Sequence, residues 1–326
     1  MALDLIQLFV GLVLLMAGGE AVVRGATGLA RALGVSPLVI GLTVVAFGTS
    51  APEMAVNLIA AWEGRGEISF GNIIGSNMAN IGLIVGCTAI FRPILITGVV
   101  IAREIPMMLL ATTAAIIMGF DTLLGFGNDA YDRADGLLLL MFFLVFLYYT
   151  VGDFVQQRAD KESGSVDGAS SGDNSARNRY LAITGLGLAA LIGGADVTVS
   201  ASEALARALG VPEVIIGLTV LAVGTSLPEL VASVVATMRG HTELAIGNVV
   251  GSNIFNLLLV MGVTSLVRPI PVPSGGHLDL LVVALLSLIL FLVSMTNSRR
   301  IIRTEASILL IVYLSYIFWR SSQAIA

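Results

Sequence analysis

The sequence predicts an all-α membrane protein of ten transmembrane helices, arranged as two repeats of five with opposite orientation in the membrane. The first observation behind this prediction is composition. Of the 326 residues, 56% are hydrophobic and only 12% are charged, and the mean hydropathy is +0.95. A water-soluble domain carries about 25% charged residues. The second observation is a series of long apolar segments, and the third is an internal repeat.

Long apolar segments recur along the whole chain. A helix needs about 20 apolar residues to cross a hydrocarbon core of ~30 Å. Ten segments of this kind begin near Leu3, Pro37, Ser69, Glu104, Ala134, Arg179, Glu213, Leu244, His277 and Arg303. They lack the alternation expected of membrane β-strands. The first is predicted to be retained as a helix, because "MALDLI" contains no Lys or Arg and so differs from a secretory signal peptide.

The basic residues predict the orientation. Cytoplasmic loops of membrane proteins are enriched in Lys and Arg. If both termini lie outside, the inside receives twelve of the 17 basic residues and the outside five. The inside set is Arg24, Arg31, Arg92, Arg103, Arg158, Lys161, Arg177, Arg179, Arg239, Arg299, Arg300 and Arg303. We therefore predict a multi-pass protein of the inner or plasma membrane, with both termini outside and the central loop in the cytoplasm.

The internal repeat defines the domains. A shift of 176 residues, which carries Glu53 onto Glu229, aligns the halves from about Gly18 to Pro93. "GLTVVAFGTSAPE" (41–53) matches "GLTVLAVGTSLPE" (217–229), and "GNIIGSNMAN" (71–80) matches "GNVVGSNIFN" (247–256). We assign the first repeat to residues 1–155, with its motif at 41–86, and the second to 180–326, with its motif at 217–262.

Residues 156–179 separate the two repeats. This stretch is rich in Ser, Gly and Asp and has no aromatic residue, which predicts a flexible cytoplasmic linker. Since five is an odd number of spans, the second copy enters the membrane inverted. Inverted repeats are typical of secondary transporters, whose binding site lies at the bilayer midplane.

A proline and a glutamate interrupt the second apolar segment. Pro52 has no N–H and pushes away the carbonyl four residues back, and Gly48 adds backbone freedom at that point. Carbonyls from Ala46 to Thr49 then lose their helical partners and need others, from the protein or from a polar cavity. Thr49, Ser50 and Glu53 share one helix face by their spacing.

The second repeat and the following helices extend this oxygen-rich pattern. The equivalent set is Ala222, Thr225, Ser226 and Glu229, and the next helices add Ser76 and Asn80, or Ser252 and Asn256. Carbonyl, hydroxyl and carboxylate oxygens suit hard cations such as Ca²⁺ and Na⁺. Each feature alone also fits ordinary helix packing, but their paired occurrence favours a site. No Lys or Arg lies at comparable depth in these spans, so we predict that the two carboxylates hold a mobile cation.

These paired segments resemble the α-repeats of the sodium/calcium exchanger, or cation/Ca²⁺ antiporter, family, and most of all its short prokaryotic members. The resemblance implies that Glu53 and Glu229 are the principal Ca²⁺ ligands, joined by backbone oxygens of Thr49 and Thr225. It implies two matching sets of Na⁺ ligands: Ala46, Thr49, Ser50, Glu53 and Ser76, and Ala222, Thr225, Ser226, Glu229 and Ser252. Asn80 and Asn256 would line the centre.

The resemblance also implies a coupling mode. Some relatives, including potassium-dependent exchangers, carry Asp where this chain has Asn256, and the loss of that charge favours K⁺-independent exchange. The proton-coupled branch has Glu in the "GN" region, which this chain lacks. The implied function is Na⁺/Ca²⁺ antiport by alternating access, in the direction of Ca²⁺ extrusion.

Two alternatives stay open at this point. A buried Glu can take up a proton instead of Na⁺, which would give an H⁺-coupled Ca²⁺ or cation antiporter, and repeats of this kind could also form a gated cation channel. We do not predict an enzyme, since the sequence offers no nucleophile–base pair. The expected partners are Ca²⁺, Na⁺ and the lipid bilayer, without cofactor or nucleic acid, around a monomeric protein.

Overall fold

The computed structural model describes residues 2–125, 127–164, 174–209 and 224–325. In these ranges seven helices are long and apolar enough to cross a membrane, or eight if one bent pair counts as a span. The prediction of an all-α, multi-pass membrane protein is confirmed at this level. The predicted start near Glu213 lies outside the described residues, so the count of ten spans stays a prediction.

The helices occur in the following order along the chain: α1 (Ala2–Leu33), α2 (Pro37–Thr49), α3 (Ala51–Trp62), α4 (Gly66–Phe91), α5 (Val100–Gly119), α6 (Asp121–Leu124), α7 (Arg133–Gly164), α8 (Asn174–Ala208), α9 (Leu227–Met238), α10 (Thr242–Val267), α11 (Gly276–Ser294) and α12 (Arg303–Ile325). Four short strands join them: β1 (Ile94–Leu95), β2 (Ala130–Tyr131), β3 (Ile270–Pro271) and β4 (Arg300–Ile301). Helices α7 and α8 extend into both ends of the segment assigned to the linker.

Several of these helices contain a π-helical turn. Such turns occur at Gly41–Val45 in α2, Ala79–Val85 in α4, Val100–Glu104 in α5 and Phe255–Val260 in α10. A π-turn widens the helix and breaks the regular bonding, and it is often found at functional sites. The turns in α4 and α10 begin at repeat-equivalent positions, and they include Asn80 and Asn256.

The chain divides into two compact units, of which the first comprises Met1–Thr49, Thr150–Val249 and Leu314–Ala326. Helices α1 and α8 pack against each other at its centre, and α9 packs against both of them. Glycines allow the α1 and α8 backbones to touch: a Cβ on Gly18 would lie 2.7 Å from the Leu191 nitrogen, and one on Gly187 would lie 2.7 Å from the Val22 nitrogen. Leu191 and Val22 are fully buried there.

A second close approach in this unit joins α2 to the start of α10. A Cβ on Gly41 would lie 2.7 Å from the Leu244 oxygen, and one on Gly247 would lie 2.8 Å from the Leu38 oxygen. Small residues thus let the two backbones meet, as small-residue motifs do between membrane helices. The contact also brings Thr49, at the end of α2, within hydrogen-bond distance of Asn248 on α10.

The second unit comprises Ser50–Tyr149 and Val250–Tyr313. Here α3 packs against α4 and against the part of α10 that follows residue 254, and α5 packs against α11. The strands pair antiparallel, β1 with β4 and β2 with β3. Strands β1 and β3 follow the equivalent prolines Pro93 and Pro269, so each pair joins a strand of one copy to a strand of the other.

Candidate cation site

The predicted kink of the second helix is confirmed. Helices α2 and α3 meet at an angle of 42°. Ser50, at φ −83° and ψ 4°, separates them, and Pro52 in the first turn of α3 cannot donate to the carbonyl of Gly48. Helical bonding resumes where the Met54 N–H donates to the Ser50 oxygen at 3.1 Å.

The second repeat has the same local geometry where it is described. Ser226 precedes α9 with φ −90° and ψ 6°, and the Leu230 N–H donates to the Ser226 oxygen at 3.0 Å. Pro228 again occupies the first turn. Residues 210–223, which include Ala222 and the preceding part of the predicted seventh helix, lie outside the described residues, so the kink there stays a prediction.

A buried glutamate lies in the first turn of α3 and another in the first turn of α9. Glu53 of α3 and Glu229 of α9 are both 1% exposed. Helix N-termini carry a partial positive charge that favours a carboxylate at this position. Ser-x-x-Glu is also the capping-box pattern, but neither Ser50 nor Ser226 makes a side-chain cap hydrogen bond. Reciprocal capping therefore does not account for these two glutamates.

Half of the predicted ligands lie in the second unit on helices that pack together. They are Ser50, Glu53, Ser76, Asn80, Ser252 and Asn256, and all are at least 97% buried. Ser50 and Glu53 lie at the start of α3, whereas the others lie on α4 and α10. Since α3, α4 and α10 contact one another, residues from both repeats approach each other within this unit.

Four of these ligands have polar atoms that no described residue satisfies. The hydroxyls of Ser76 and Ser252 and both amide atoms of Asn80 and of Asn256 lack hydrogen-bond partners within the described part of the chain. Leaving a buried polar group unpaired costs about 1–3 kcal/mol, and such groups are otherwise almost always bonded. A bound cation or its water would satisfy these oxygens.

The remaining described ligands lie in the first unit. Ala46 and Thr49 are at the end of α2, and Thr225, Ser226 and Glu229 are at the start of α9. The end of α2 packs against α9. Ala46 and Thr49 are fully buried, Ser226 is 2% exposed and its hydroxyl lacks a partner among the described residues. Thr225 is half-buried.

Asn248 is a buried amide beside the predicted ligands that the sequence pattern did not single out. It is 1% exposed and lies on α10 at the crossing with α2. Its Oδ1 accepts a hydrogen bond from the Thr49 hydroxyl at 3.2 Å, and its Nδ2 donates to the Ser233 hydroxyl at 3.0 Å and to the Glu229 carbonyl at 3.5 Å. One amide therefore joins Thr49 of the first copy to the helix of Glu229.

The equivalent amides of the first copy form a matching link. Asn57 Nδ2 donates to the Glu53 carbonyl at 2.6 Å and to Asn72 Oδ1 at 2.8 Å. Asn57 and Asn72 correspond to Ser233 and Asn248 in the repeat. The signal was present in the sequence, since "GN" opens both third-helix motifs. An amide, Asn57, stands in the first copy where a hydroxyl, Ser233, stands in the second, and the donor to the Glu carbonyl changes from Asn57 to Asn248.

The titratable groups limit the kind of cation that could bind. Among the described residues, no three His, Cys, Asp or Glu side chains gather where they could hold a metal ion. A cation here would need a mixed shell of carboxylate, hydroxyl, amide and carbonyl oxygens. Such shells suit Ca²⁺ and Na⁺ better than softer transition metals.

Known proteins resemble this chain over nearly its full length. Residues 3–152 and 179–321 match the family described as "Sodium/calcium exchanger protein". CaxA of Alkalimonas amylolytica is 37% identical over 314 residues, covering 95% of this chain and 96% of CaxA. The sodium/calcium exchanger MaX1 of Methanosarcina acetivorans is 31% identical over 340 residues, covering 95% and 96%.

Solved structures agree with these sequence matches. A structure of the sodium-calcium exchanger NCX_Mj, soaked with Na⁺ and without Ca²⁺, superimposes with a TM-score of 0.83 at 32% identity. The match covers 97% of this chain and 98% of NCX_Mj. At this identity and coverage the two chains share one helical membrane fold.

Proposed function

Since the chain belongs to the sodium/calcium exchanger protein family, whose members are membrane transporters, we propose that it exchanges Ca²⁺ for Na⁺ across the cell membrane by alternating access. The observation that carries this proposal is the pair of repeat-equivalent glutamates. Glu53 and Glu229 are each 1% exposed and each lie in the first turn of a helix. Burying two acids without use would be costly, and a transported cation gives them a function.

The proposed coordination site joins ligands of both repeats. Glu53 and Glu229 would bind Ca²⁺ with the carbonyls of Thr49 and Thr225, and Na⁺ would use two sets. These sets are Ala46, Thr49, Ser50, Glu53 and Ser76, and Ala222, Thr225, Ser226, Glu229 and Ser252, with Asn80 and Asn256 at the centre. Two carboxylates balance one Ca²⁺ or two Na⁺ in the same place. Ca²⁺ and Na⁺ exclude each other from the site, and an empty site with two uncompensated carboxylates changes its orientation across the membrane with difficulty. The protein would therefore exchange the two ions and would not leak either of them.

The proposed topology has ten spans in two inverted repeats, residues 1–155 and 180–326, with 156–179 as a cytoplasmic linker and both termini outside. The strand pairs support a fold in which the two repeats pair with each other, since β1 and β2 of the first repeat bond to β4 and β3 of the second. The contact of Glu20 with Arg239, at 2.8 Å, supports the part of this topology that places both residues on the same side of the membrane.

Vesicle transport is the direct test of this function. Proteoliposomes loaded with Na⁺ are diluted into Na⁺-free buffer containing ⁴⁵Ca²⁺, and we expect Ca²⁺ uptake that stops when internal Na⁺ is replaced by choline. Omitting K⁺ on both sides should leave the rate unchanged. Absence of Na⁺-dependent uptake by folded protein would contradict the proposal.

Substitution of the two carboxylates tests the site itself. Glu53→Gln and Glu229→Gln should each abolish exchange, because a neutral amide cannot balance a divalent charge. Glu203→Gln is the matched control, since Glu203 forms a surface ion pair with Arg207 at 3.4 Å on α8, and it should transport normally. Retained exchange in either glutamate variant would remove that residue from the site.

The same vesicles distinguish the alternative functions. If a pH gradient without Na⁺ drives uptake, the antiporter is coupled to protons. If Ca²⁺ enters without any counter-ion and single-channel currents appear in planar bilayers, the protein is a channel. We expect neither result.

A further inference from the structure

A groove opens between α1 and α8 at one end of the first unit. Its volume is about 410 Å³, and Ala17, Glu20, Ala21, Arg24, Arg179 and Ile183 line it. Its wall is almost entirely apolar, whereas Arg24 and Arg179 are exposed at its rim. The groove thus combines a hydrocarbon-like surface with two guanidinium groups.

The charges at the rim are not balanced. The Glu20 carboxylate is already paired, since it accepts a hydrogen bond from Arg239 Nε at 2.8 Å. Within the described part of the chain, Arg24 and Arg179 have no acidic partner. The three charged lining residues, Glu20, Arg24 and Arg179, together with Arg239 as the partner of Glu20, carry a net charge of +2, which favours an anion.

The groove lies at the depth of a lipid headgroup. Helix α1 begins at Ala2, and at ~1.5 Å per residue Arg24 lies roughly 33 Å along the helix, close to the ~30 Å thickness of the hydrocarbon core. Arg179 lies near the start of α8, at the predicted start of its apolar segment. Ala17, Ala21 and Ile183 lie on the hydrocarbon side of the two arginines.

We propose that this groove binds an anionic phospholipid of the leaflet that faces the linker. The phosphate would contact Arg24 and Arg179, whose planar guanidinium groups suit phosphate oxygens, and an acyl chain would lie along Ala17, Ala21 and Ile183. Basic pockets between membrane helices are known to select anionic headgroups.

The repeat shows that this site belongs to one copy only. Glu20 corresponds to Asp196, but Arg24 corresponds to Ser200, so the second copy lacks the arginine. Arg179 corresponds to Leu3. The duplicated ancestor therefore does not dictate these arginines, and lipid binding is expected in one leaflet and at one end of the α1–α8 pair.

Lipid-dependent thermal unfolding tests the proposal. The full chain is purified in detergent, and its unfolding midpoint is followed during titration with phosphatidylglycerol or with phosphatidylcholine of the same acyl chains. We expect phosphatidylglycerol alone to raise the midpoint, because a ligand of the native state stabilises it. The double variant R24Q/R179Q should need about 30-fold more phosphatidylglycerol for half of the shift.

Three controls make the result decisive. R24K/R179K keeps both charges but loses the planar guanidinium groups, so it should bind more weakly than the wild type and more tightly than R24Q/R179Q. R177Q removes a neighbouring exposed charge of α8 and should also bind within about threefold. Soluble glycerol phosphate at equal concentration should give no shift, since it lacks the acyl chain.

Any of the following results would overturn the proposal: an unchanged titration of R24Q/R179Q, an equal response to phosphatidylcholine, or an equal shift with glycerol phosphate. A loss in R177Q as large as in the double variant would also overturn it, since that loss would indicate general surface charge. If the double variant does not fold, native mass spectrometry of R24Q and R179Q decides the question. Each should retain less phosphatidylglycerol than wild type, and equal retention contradicts the site.

Discussion

At the scale of single residues, buried amides connect the glutamate helices to their neighbours. Asn248 bonds Thr49, Ser233 and the Glu229 carbonyl, and Asn57 bonds the Glu53 carbonyl and Asn72. None of these side chains is acidic, so they cannot balance a cation directly. In the proposed site they would hold the backbone oxygens and the helices in position, which is the usual role of groups behind a metal ligand.

Replacement of Asn248 by Ala should weaken Ca²⁺ binding. The change leaves the buried hydroxyls of Thr49 and Ser233 without their partner, at a cost of about 1–3 kcal/mol, and releases the carbonyl-bearing end of α2. We expect the Ca²⁺ concentration for half-maximal exchange to rise roughly tenfold. It is measured by ⁴⁵Ca²⁺ uptake at several Ca²⁺ concentrations.

Thr27→Ala is the control for loss of a buried hydrogen bond as such. The Thr27 hydroxyl donates to the Val23 oxygen at 2.7 Å within α1, and its loss should lower stability without changing Ca²⁺ dependence. If Asn248→Ala lowers only the unfolding temperature, then Asn248 is a packing residue and the positioning role is wrong.

At the scale of elements, the break between α2 and α3 sets the direction of the oxygens. The 42° bend coincides with Pro52 in the first turn of α3. Proline does not always bend a helix in this protein: Pro106 lies in α5, just after the π-turn Val100–Glu104. A π-turn already removes regular bonding, which gives a proline room without a break.

Pro52→Ala should therefore lower the exchange rate without lowering stability. Alanine supplies an N–H that can bond the Gly48 carbonyl, which straightens the helix and removes an oxygen from the site. Proline is tolerated in the first turn of a helix, and the substitution adds a hydrogen-bond donor without removing one, so the variant should unfold at the same or a higher temperature. Uptake assays and thermal unfolding measure the two effects.

Pro106→Ala provides the comparison. It removes a proline from a helix that carries none of the candidate ligands, so its exchange rate should match that of the wild type. Equal rates for Pro52→Ala and wild type would show that the break is not needed for transport.

At the scale of the whole molecule, the duplication explains several paired features. The two glutamates, the two π-turns in α4 and α10, the amide links and the strands after Pro93 and Pro269 each occur at equivalent positions. An odd number of spans in each copy would invert the second copy, and this gives two related conformations that open to opposite sides. The orientation of loops is therefore the property to measure.

Cysteine labelling tests the predicted topology. In a Cys87→Ala background, which removes the single cysteine, Asn128→Cys and Ser170→Cys are treated in intact cells with a membrane-impermeant maleimide. We expect Asn128→Cys, in the exposed loop after α6, to react from outside. Ser170→Cys, in the linker, should react only after the membrane is permeabilised. The reverse pattern would invert the proposed orientation.

Much of the fold and part of the site were accessible from the sequence. The apolar segments, the repeat and the kink at Pro52 follow from local rules, because a membrane helix needs a fixed apolar length and proline lacks an N–H wherever it stands. The structure bears out the membrane helices and the bend. The family followed from the two motifs, since their spacing is written in the chain itself.

The sequence alone determined which oxygen-bearing residues are duplicated, and thus that Glu53 corresponds to Glu229 in the repeat. Only the tertiary structure decided which groups are satisfied by which neighbours. It brought Asn248 to Thr49 across 199 positions of the chain, placed Asn80 and Asn256 in π-turns, and left Arg24 and Arg179 together on an apolar groove. Hydrogen bonds and grooves of this kind arise from contacts between distant segments, and no local pattern of residues encodes the distance between them.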